Sequence, residues 1–270
     1  MSELIVSIST HSLASRPLAE ALEQLAPHTS AVELMNDGLH YTTDAALLSS
    51  FSFRYSIHAP ARSVNISSVL EPIRRASVEL VDESLGLAAE CSASHVVFHP
   101  GYYTFKEEYE KSVSALKTSL KEINRFAEEV GVQCCVENMG KWGYFFLKSP
   151  EDLELTRGTA FCLDIGHANE CGCLAEFLQH QFSAIHVHDN DGTSDAHLGL
   201  GKGNIDIAAV VDAVKTKPYH IPGCGVCRSR CGSGDKSAAG KTARIRAGFP
   251  RSVNFIYLIN LTKYPYYFKP

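Results

Sequence analysis

No apolar run in this 270-residue sequence reaches the eighteen or so residues that a membrane-spanning helix needs, so no helical span is expected. The opening Met-Ser-Glu-Leu-Ile-Val-Ser-Ile-Ser-Thr lacks the basic flank and long apolar region of a signal peptide, and it reads as a first strand. No Gly-x-Gly-x-x-Gly follows that strand, which removes support for a dinucleotide-binding sheet. Positive charge is short overall: the net charge is −5, with no bulk attraction to nucleic acid or to a membrane. The nine cysteines are an odd number, irregularly spaced and partly inside apolar strands (Cys134, Cys135, Cys162). That usage argues against a secreted disulfide scaffold and for a cytoplasmic protein.

What is present is alternation. Residues 4–9, 31–35, 53–57, 94–98, 132–136, 160–163 and 184–187 read as short strands, most of them apolar on both faces. Strands of that kind belong to parallel sheets covered by helices. Between them, 17–26, 43–50, 67–91, 109–130, 174–181 and 205–215 read as helices, and Ser149-Pro-Glu-Asp152 reads as a helix start. The longest carry apolar stripes at helical spacing, such as Leu116, Leu120, Ile123 and Ala127, and Gly131 marks a helix end. Residues 219–221 begin an eighth strand. Single-helix crossovers between successive strands require a parallel sheet, and seven strands plus the start of an eighth favour a (β/α)8 TIM barrel over residues 1–222. At 45% hydrophobic residues the chain is long enough to bury one such core.

The strands end abruptly in metal-type ligands. His58, His99, Glu137, Asp164, His167, His186 and His188 fall at or just past strand ends, and the glycine-rich stretch 194–203 adds Asp195 and His197. The carboxyl ends of the strands are where a parallel barrel builds its active site. Any one strand-end histidine is more often a hydrogen-bonded structural residue than a ligand. Jointly, six of the twelve histidines and three carboxylates on one rim point to a bound cation, because unpaired buried charges there would be costly. Imidazole with carboxylate and no sulfur suits zinc, manganese or ferrous iron in a catalytic site. His188, two residues past His186, reads as a hydrogen-bond partner behind the ligands. His11, after the first strand, is placed to line the pocket.

The segment 223–270 breaks this pattern. It holds nine Lys/Arg against one acid, Asp235, for a net +8, whereas residues 1–222 hold 16 against 29, for a net −13. Helical periodicity is lost there, and Cys224-x-x-Cys227 has no second cysteine or histidine pair to complete a zinc site. The expectation is an aberrant, basic, cysteine-containing tail, the product of a shifted reading frame near codon 223 rather than a domain. The eighth β/α unit would then be incomplete.

Seven motifs in order resemble the xylose isomerase-like and AP-endonuclease-family-2 superfamily of TIM barrels. They are His58-Ala-Pro, Asn65 with Ile73-Arg-Arg-Ala-Ser77, Val97-Phe-His-Pro-Gly101, Val136-Glu-Asn-Met139, Leu163-Asp-Ile-Gly-His-Ala-Asn169, His186-Val-His-Asp-Asn-Asp-Gly192 and Asp195-Ala-His-Leu-Gly-Leu-Gly-Lys-Gly203. Within that superfamily the chain looks like sugar phosphate isomerase/epimerase proteins and relatives of endonuclease IV. The endonuclease branch implies three zinc ions: one on His58, His99 and Glu137, a second on Glu137, Asp164 and His186, a third on His167, Asp195 and His197. The isomerase branch implies one divalent metal, zinc or manganese, on Glu137, Asp164 and His186 with a glutamate ending the eighth strand. No carboxylate stands between Ile221 and Asp235 to fill that last position.

Two activities follow from the resemblance. In the first, a metal-stabilised enediolate forms as Glu137 moves a proton α to a sugar carbonyl, with His188 assisting and His11, Asn138 and Lys202 touching the sugar or sugar phosphate. In the second, abasic DNA is cleaved, for which the complete third ligand set speaks and the net −13 of residues 1–222 speaks against. The absent glutamate leaves a third possibility, a barrel that binds metal or sugar without catalysis.

Overall fold

Small and apolar side chains fill the bottom of a parallel barrel, and histidines and carboxylates fill its top. The computed structural model describes residues 4–216 and 254–258. Eight strands close in chain order, all neighbours parallel. They run β1 (Leu4–Ser9), α1 (Leu18–Leu25), β2 (Ala31–Met35), α2 (Ala45–Ser49), β3 (Arg54–His58), α3 (Glu71–Glu90), β4 (His95–Phe98), α4 (Tyr109–Val130) and β5 (Gln133–Glu137). After them come β6 (Ala160–Asp164), α5 (Ile165–Glu170), α6 (Leu174–Phe177), β7 (Ala184–Val187), α7 (Ile207–Thr216) and β8 (Asn254–Leu258).

The period-two pleat separates two sets of residues. Val32, Leu34, Tyr55, Ile57, Val96, Phe98, Cys134, Val136, Phe161, Leu163, Ile185 and Val187 pack with the helices in one large apolar cluster. Their neighbours Ala31, Val97, Cys135, Cys162 and Ala184 form a second, small cluster inside the barrel. The next inward positions along the same strands are Glu33, His99, Glu137, Asp164 and His186, so each ligand stands one pleat above a small apolar residue. Full burial of a residue such as Leu34 or Ile57 contributes about 1.5–3 kcal/mol. That outer layer therefore holds the frame on which a polar centre is tolerated.

Several elements differ from the sequence reading. Pro150–Thr156 is a 3-10 helix, although the Ser149–Asp152 capping box expected at its start is formed. Gly158, at φ 96, then turns the chain at once into β6. The helix read over 174–181 ends at Phe177, because Gln179 and His180 donate to carbonyls three residues back and tighten the last turn. Helix α5 was unread. It begins where Asp164 accepts the His167 N–H and caps it, so strand passes to helix without a loop.

Residues 219–221, read as the eighth strand, lie outside the described residues. The strand that fills the gap between β7 and β1 comes from inside the basic tail, with Tyr257 opposite both His186 and Ser7. No residue of β8 carries a carboxylate.

Candidate metal centre

Glu137 ends β5, buried at 2% exposure, and its two oxygens face different neighbours. Oε2 lies 3.0 Å from His58 Nε2 and 3.2 Å from His99 Nε2. Oε1 lies 2.7 Å from His186 Nδ1. Beyond His186, the same Nδ1 is 3.8 Å from Asp164 Oδ2, and the strand register sets Asp164 directly beside His186. One carboxylate thus joins two groups of potential ligands.

A third group hangs from the loop after β7. His197 Nε2 is 3.1 Å from Asp195 Oδ2, and His167 Nε2 is 3.4 Å from the same oxygen. His167 also lies near the middle group, its Nδ1 3.7 Å from Asp164 Oδ1. The tautomer decides which group it serves. Nδ1 is 2.8 Å from the carbonyl of Asn138, and a carbonyl only accepts, so Nδ1 carries the proton. Nε2, facing Asp195, is then the nitrogen that a metal could take once its proton is displaced. His58 is set the same way: Nδ1 donates to the Ala59 carbonyl at 2.7 Å, and Nε2 is directed at Glu137 Oε2.

Potential ligand atoms in the sets His58–His99–Glu137, Glu137–Asp164–His167 and His188–Asp195–His197 lie within 4.8 Å of one another. The donors are imidazole nitrogen and carboxylate oxygen, which fits zinc or manganese. The thiols one layer below do not compete, since burial pushes Cys162 up to about 12 and Cys135 well above the ordinary range.

The charges are balanced pairwise. Burial works against charge on Glu137, but His186, His58 and His99 outweigh it and hold its pKa well below the usual carboxylate value. Burial likewise opposes a proton on His186, and Cys162, Glu137 and Glu33 overcome it, so the pKa stands well above 6.5. His167 is raised in the same way against burial, by Asp164, Asp195 and Glu137. For His99 burial wins and the pKa falls, despite Glu137. Such buried ion pairs are costly to break singly, because the survivor keeps its desolvation penalty.

The supports are as specific as the ligands. Asn138 is fully buried, donating to the Asp164 carbonyl at 2.9 Å and accepting its N–H at 2.7 Å, which ties β5 to β6. Asp189 accepts the N–H groups of Gly201, Gly203 and Ile205 and clamps the loop that carries Asp195 and His197. His197 itself has φ 45, an unusual backbone for a non-glycine residue. Asn65 accepts the N–H groups of Ser67 and Tyr102, and its own N–H reaches Ser77 Oγ, which fixes the loop that follows His99.

Of the residues expected in the site, His58, His99, Glu137, Asp164, His167, His186, His188, Asp195 and His197 are all brought together. The sets within 4.8 Å, however, have His167 where His186 was expected and His188, read as a partner behind the ligands, where His167 was expected. His188 Nε2 stands 3.0 Å from Asp164 Oδ1, and its ring stacks on His197 at 4.0 Å. His11 lies at the edge, its ring 5.3 Å from that of His197, and burial with His197 and Arg62 lowers its pKa to about 4. Lys202 is exposed on the glycine-rich loop. Two residues of the centre escaped the sequence reading: Glu33, whose Oε2 is 3.1 Å from His186 Nε2, and Asp189. The signal for Glu33 was a lone carboxylate in the middle of the apolar Ala-Val-Glu-Leu-Met strand.

A family model described as the xylose isomerase-like TIM barrel matches residues 19–246. The chain belongs to that family. An uncharacterized protein of Methanocaldococcus jannaschii is 37% identical to this family member over 211 residues, which cover 76% of the chain and 84% of the relative. A probable endonuclease 4 of Mycobacterium leprae is 26% identical over 193 residues, 64% of the chain and 73% of the relative. Among solved structures, a D-tagatose 3-epimerase-like protein superposes with a TM-score of 0.73 at 24% identity, over 95% of this chain and 91% of that one. A Thermus thermophilus protein soaked with zinc chloride superposes at 0.56 with 26% identity, over 76% and 85%. The family is generally enzymatic, and among the described residues no helix is long and apolar enough to cross a membrane.

Proposed function

We propose that the chain is a divalent-metal-dependent enzyme of carbohydrate metabolism that isomerises or epimerises a sugar or sugar phosphate in the cytoplasm. The observation that carries this reading is that His186 Nδ1 lies 2.7 Å from Glu137 Oε1 and 3.8 Å from Asp164 Oδ2, in a barrel whose first 222 residues are net −13. A body of that charge suits a small substrate better than a nucleic-acid backbone. A divalent ion, zinc or manganese, held by those residues would supply a Lewis acid that stabilises negative charge on the substrate oxygens as an enediolate forms. Glu137, kept deprotonated by its imidazole neighbours, carries the proton at the carbon α to the carbonyl. His188, 3.0 Å from Asp164 Oδ1, orients the Asp164 carboxylate. His11 and Lys202 face the sugar hydroxyls or phosphate, and Asn138 keeps β5 and β6 at fixed spacing beneath them.

The third ligand set, His167, Asp195 and His197, favours a second reading, a phosphodiesterase acting at abasic DNA with up to three zinc ions. Counting metal in purified protein by mass spectrometry separates the two. One equivalent with turnover of a ketose or aldose panel supports the isomerase. Three equivalents with cleavage of an abasic duplex support the nuclease, and no metal removes both. Trp142, the one tryptophan of the chain, is 49% exposed on the loop after β5. Its emission gives a direct titration for sugar binding at the rim.

A further inference from the structure

We propose that Glu33 is a positioning residue for the metal centre: it fixes the tautomer of His186 from across the barrel and supplies negative charge behind it. The inference rests on the metal-binding reading above. Strand β2 pairs with β1 and β3, while His186 is on β7, so the Glu33 side chain reaches His186 through the barrel interior rather than along a ladder. Glu33 is 3% exposed in an otherwise apolar strand. A carboxylate so placed loses several kcal/mol of hydration and persists only with a partner. That partner is His186 Nε2, at 3.1 Å.

A neutral imidazole has one N–H to give. Without an ion both ring nitrogens donate to carboxylates; when an ion displaces one proton, an Nε2–H held by Glu33 leaves the lone pair on Nδ1, the atom that faces Glu137 at 2.7 Å and Asp164 at 3.8 Å. The His58 ring, with its centroid 5.7 Å away and its plane inclined by 28°, stacks on His186 and limits rotation of the ring. Nδ1 faces Glu137 and Asp164, the carboxylates of the middle group, whereas Nε2 faces Glu33, which lies outside every ligand set. A carboxylate hydrogen-bonded behind a ligating histidine raises its basicity, and losing such a partner typically weakens metal affinity about 10–100-fold. Strand β8 brings no carboxylate to the rim. Glu33 therefore adds the negative charge on this side of the middle ligand group, one imidazole removed from the ion.

The test uses the full chain, stripped with a chelator and titrated with Zn²⁺ against a chromophoric competitor. Glu33→Gln keeps the shape and an accepting oxygen but loses the charge; Glu33→Ala loses both. The expected result is unchanged stoichiometry with affinity about tenfold lower in the first variant and about a hundredfold lower in the second. In ¹⁵N-histidine NMR the zinc-loaded wild type shows His186 protonated at Nε2, and Glu33→Ala loses that single pattern. Affinity within twofold of wild type in both variants, with only the melting temperature lowered, makes Glu33 a filler of the barrel and overturns the proposal. If Glu33→Ala does not fold, the isosteric Glu33→Gln alone decides by the same affinity criterion. Wild-type protein that takes up no Zn²⁺ overturns the metal reading itself, and this inference with it.

Discussion

Glu137 is the residue on which two of the three ligand groups meet, so its loss is felt twice. Glu137→Gln keeps the volume but removes the charge that His58, His99 and His186 compensate. The expected outcome is turnover and zinc affinity reduced by more than about a hundredfold, beyond the range for residues behind the ligands, measured by steady-state kinetics and metal titration. Proton accounting gives a second check at this scale. His167 and His186 have raised pKa values among their carboxylates, and an entering cation must displace those protons. Metal affinity is therefore expected to rise with pH through the neutral range, with proton release seen by calorimetry in buffers of different ionisation enthalpy. Away from the centre, burial, and then Glu122, raises Asp82 from 3.8 to about 6, and its Oδ1 is buried without a hydrogen-bond partner. Between those values the folded state holds the extra proton, so the contribution of Asp82 to stability is greatest below about pH 4 and is lost as pH rises through about 6. Asp82→Asn is expected to add about 1 kcal/mol above pH 6, after discounting for partial exposure, and nothing below pH 4, as read from urea melts.

At the scale of elements, two short connections hold the ligands in place. The passage from β6 to α5 requires Gly166, because a Cβ there would overlap the His188 ring. Gly166→Ala is expected to cost about 1–3 kcal/mol and to separate His188 from Asp164, detected as a lower melting temperature with weaker zinc binding. The loop after β7 depends on Asp189, and Gly203 is needed beside it, since a Cβ there would meet the Asn190 carbonyl and the Asp189 carboxylate. Asp189→Ala leaves three N–H groups without their acceptor and is expected to cost about 2–3 kcal/mol. Hydrogen exchange should rise within 190–205 and not in the strands. Strands β1, β2 and β7 and helix α4 were legible residue for residue, because apolar runs and helical stripes report burial directly. Helix α5 was not, because its cap is the same Asp164 that ends the strand and its six residues show no stripe.

At the scale of the whole molecule, folding is coupled to the ion under the proposed metal reading. Zinc at a hundred times its dissociation constant should raise stability by about 2.7 kcal/mol, and chelation should remove that gain, both visible in thermal melts. The tail belongs to this scale as well. We further propose that residues 223–270 arise from a shifted reading frame, and that the gene read one base later restores an acidic strand end and an amphipathic helix. Three-frame alignment of the coding sequence checks it: a frame without that acidic end refutes it. A chain with the restored glutamate is expected to bind the ion more tightly than this one.

The sequence by itself determined the barrel and nearly all of the histidines and carboxylates that gather at its rim. Alternating strands and helices admit few topologies, and residues at strand ends share one face of a closed sheet whatever the details. It did not determine which nitrogen of each histidine looks inward, nor that Glu33 and His186, 153 residues apart, touch. Those depend on inward and outward directions of β2 and β7 and on the diameter of the closed barrel. Closure also assigned the eighth strand, to Asn254–Leu258, because the gap between β7 and β1 selects a partner by pairing geometry, which no local pattern encodes.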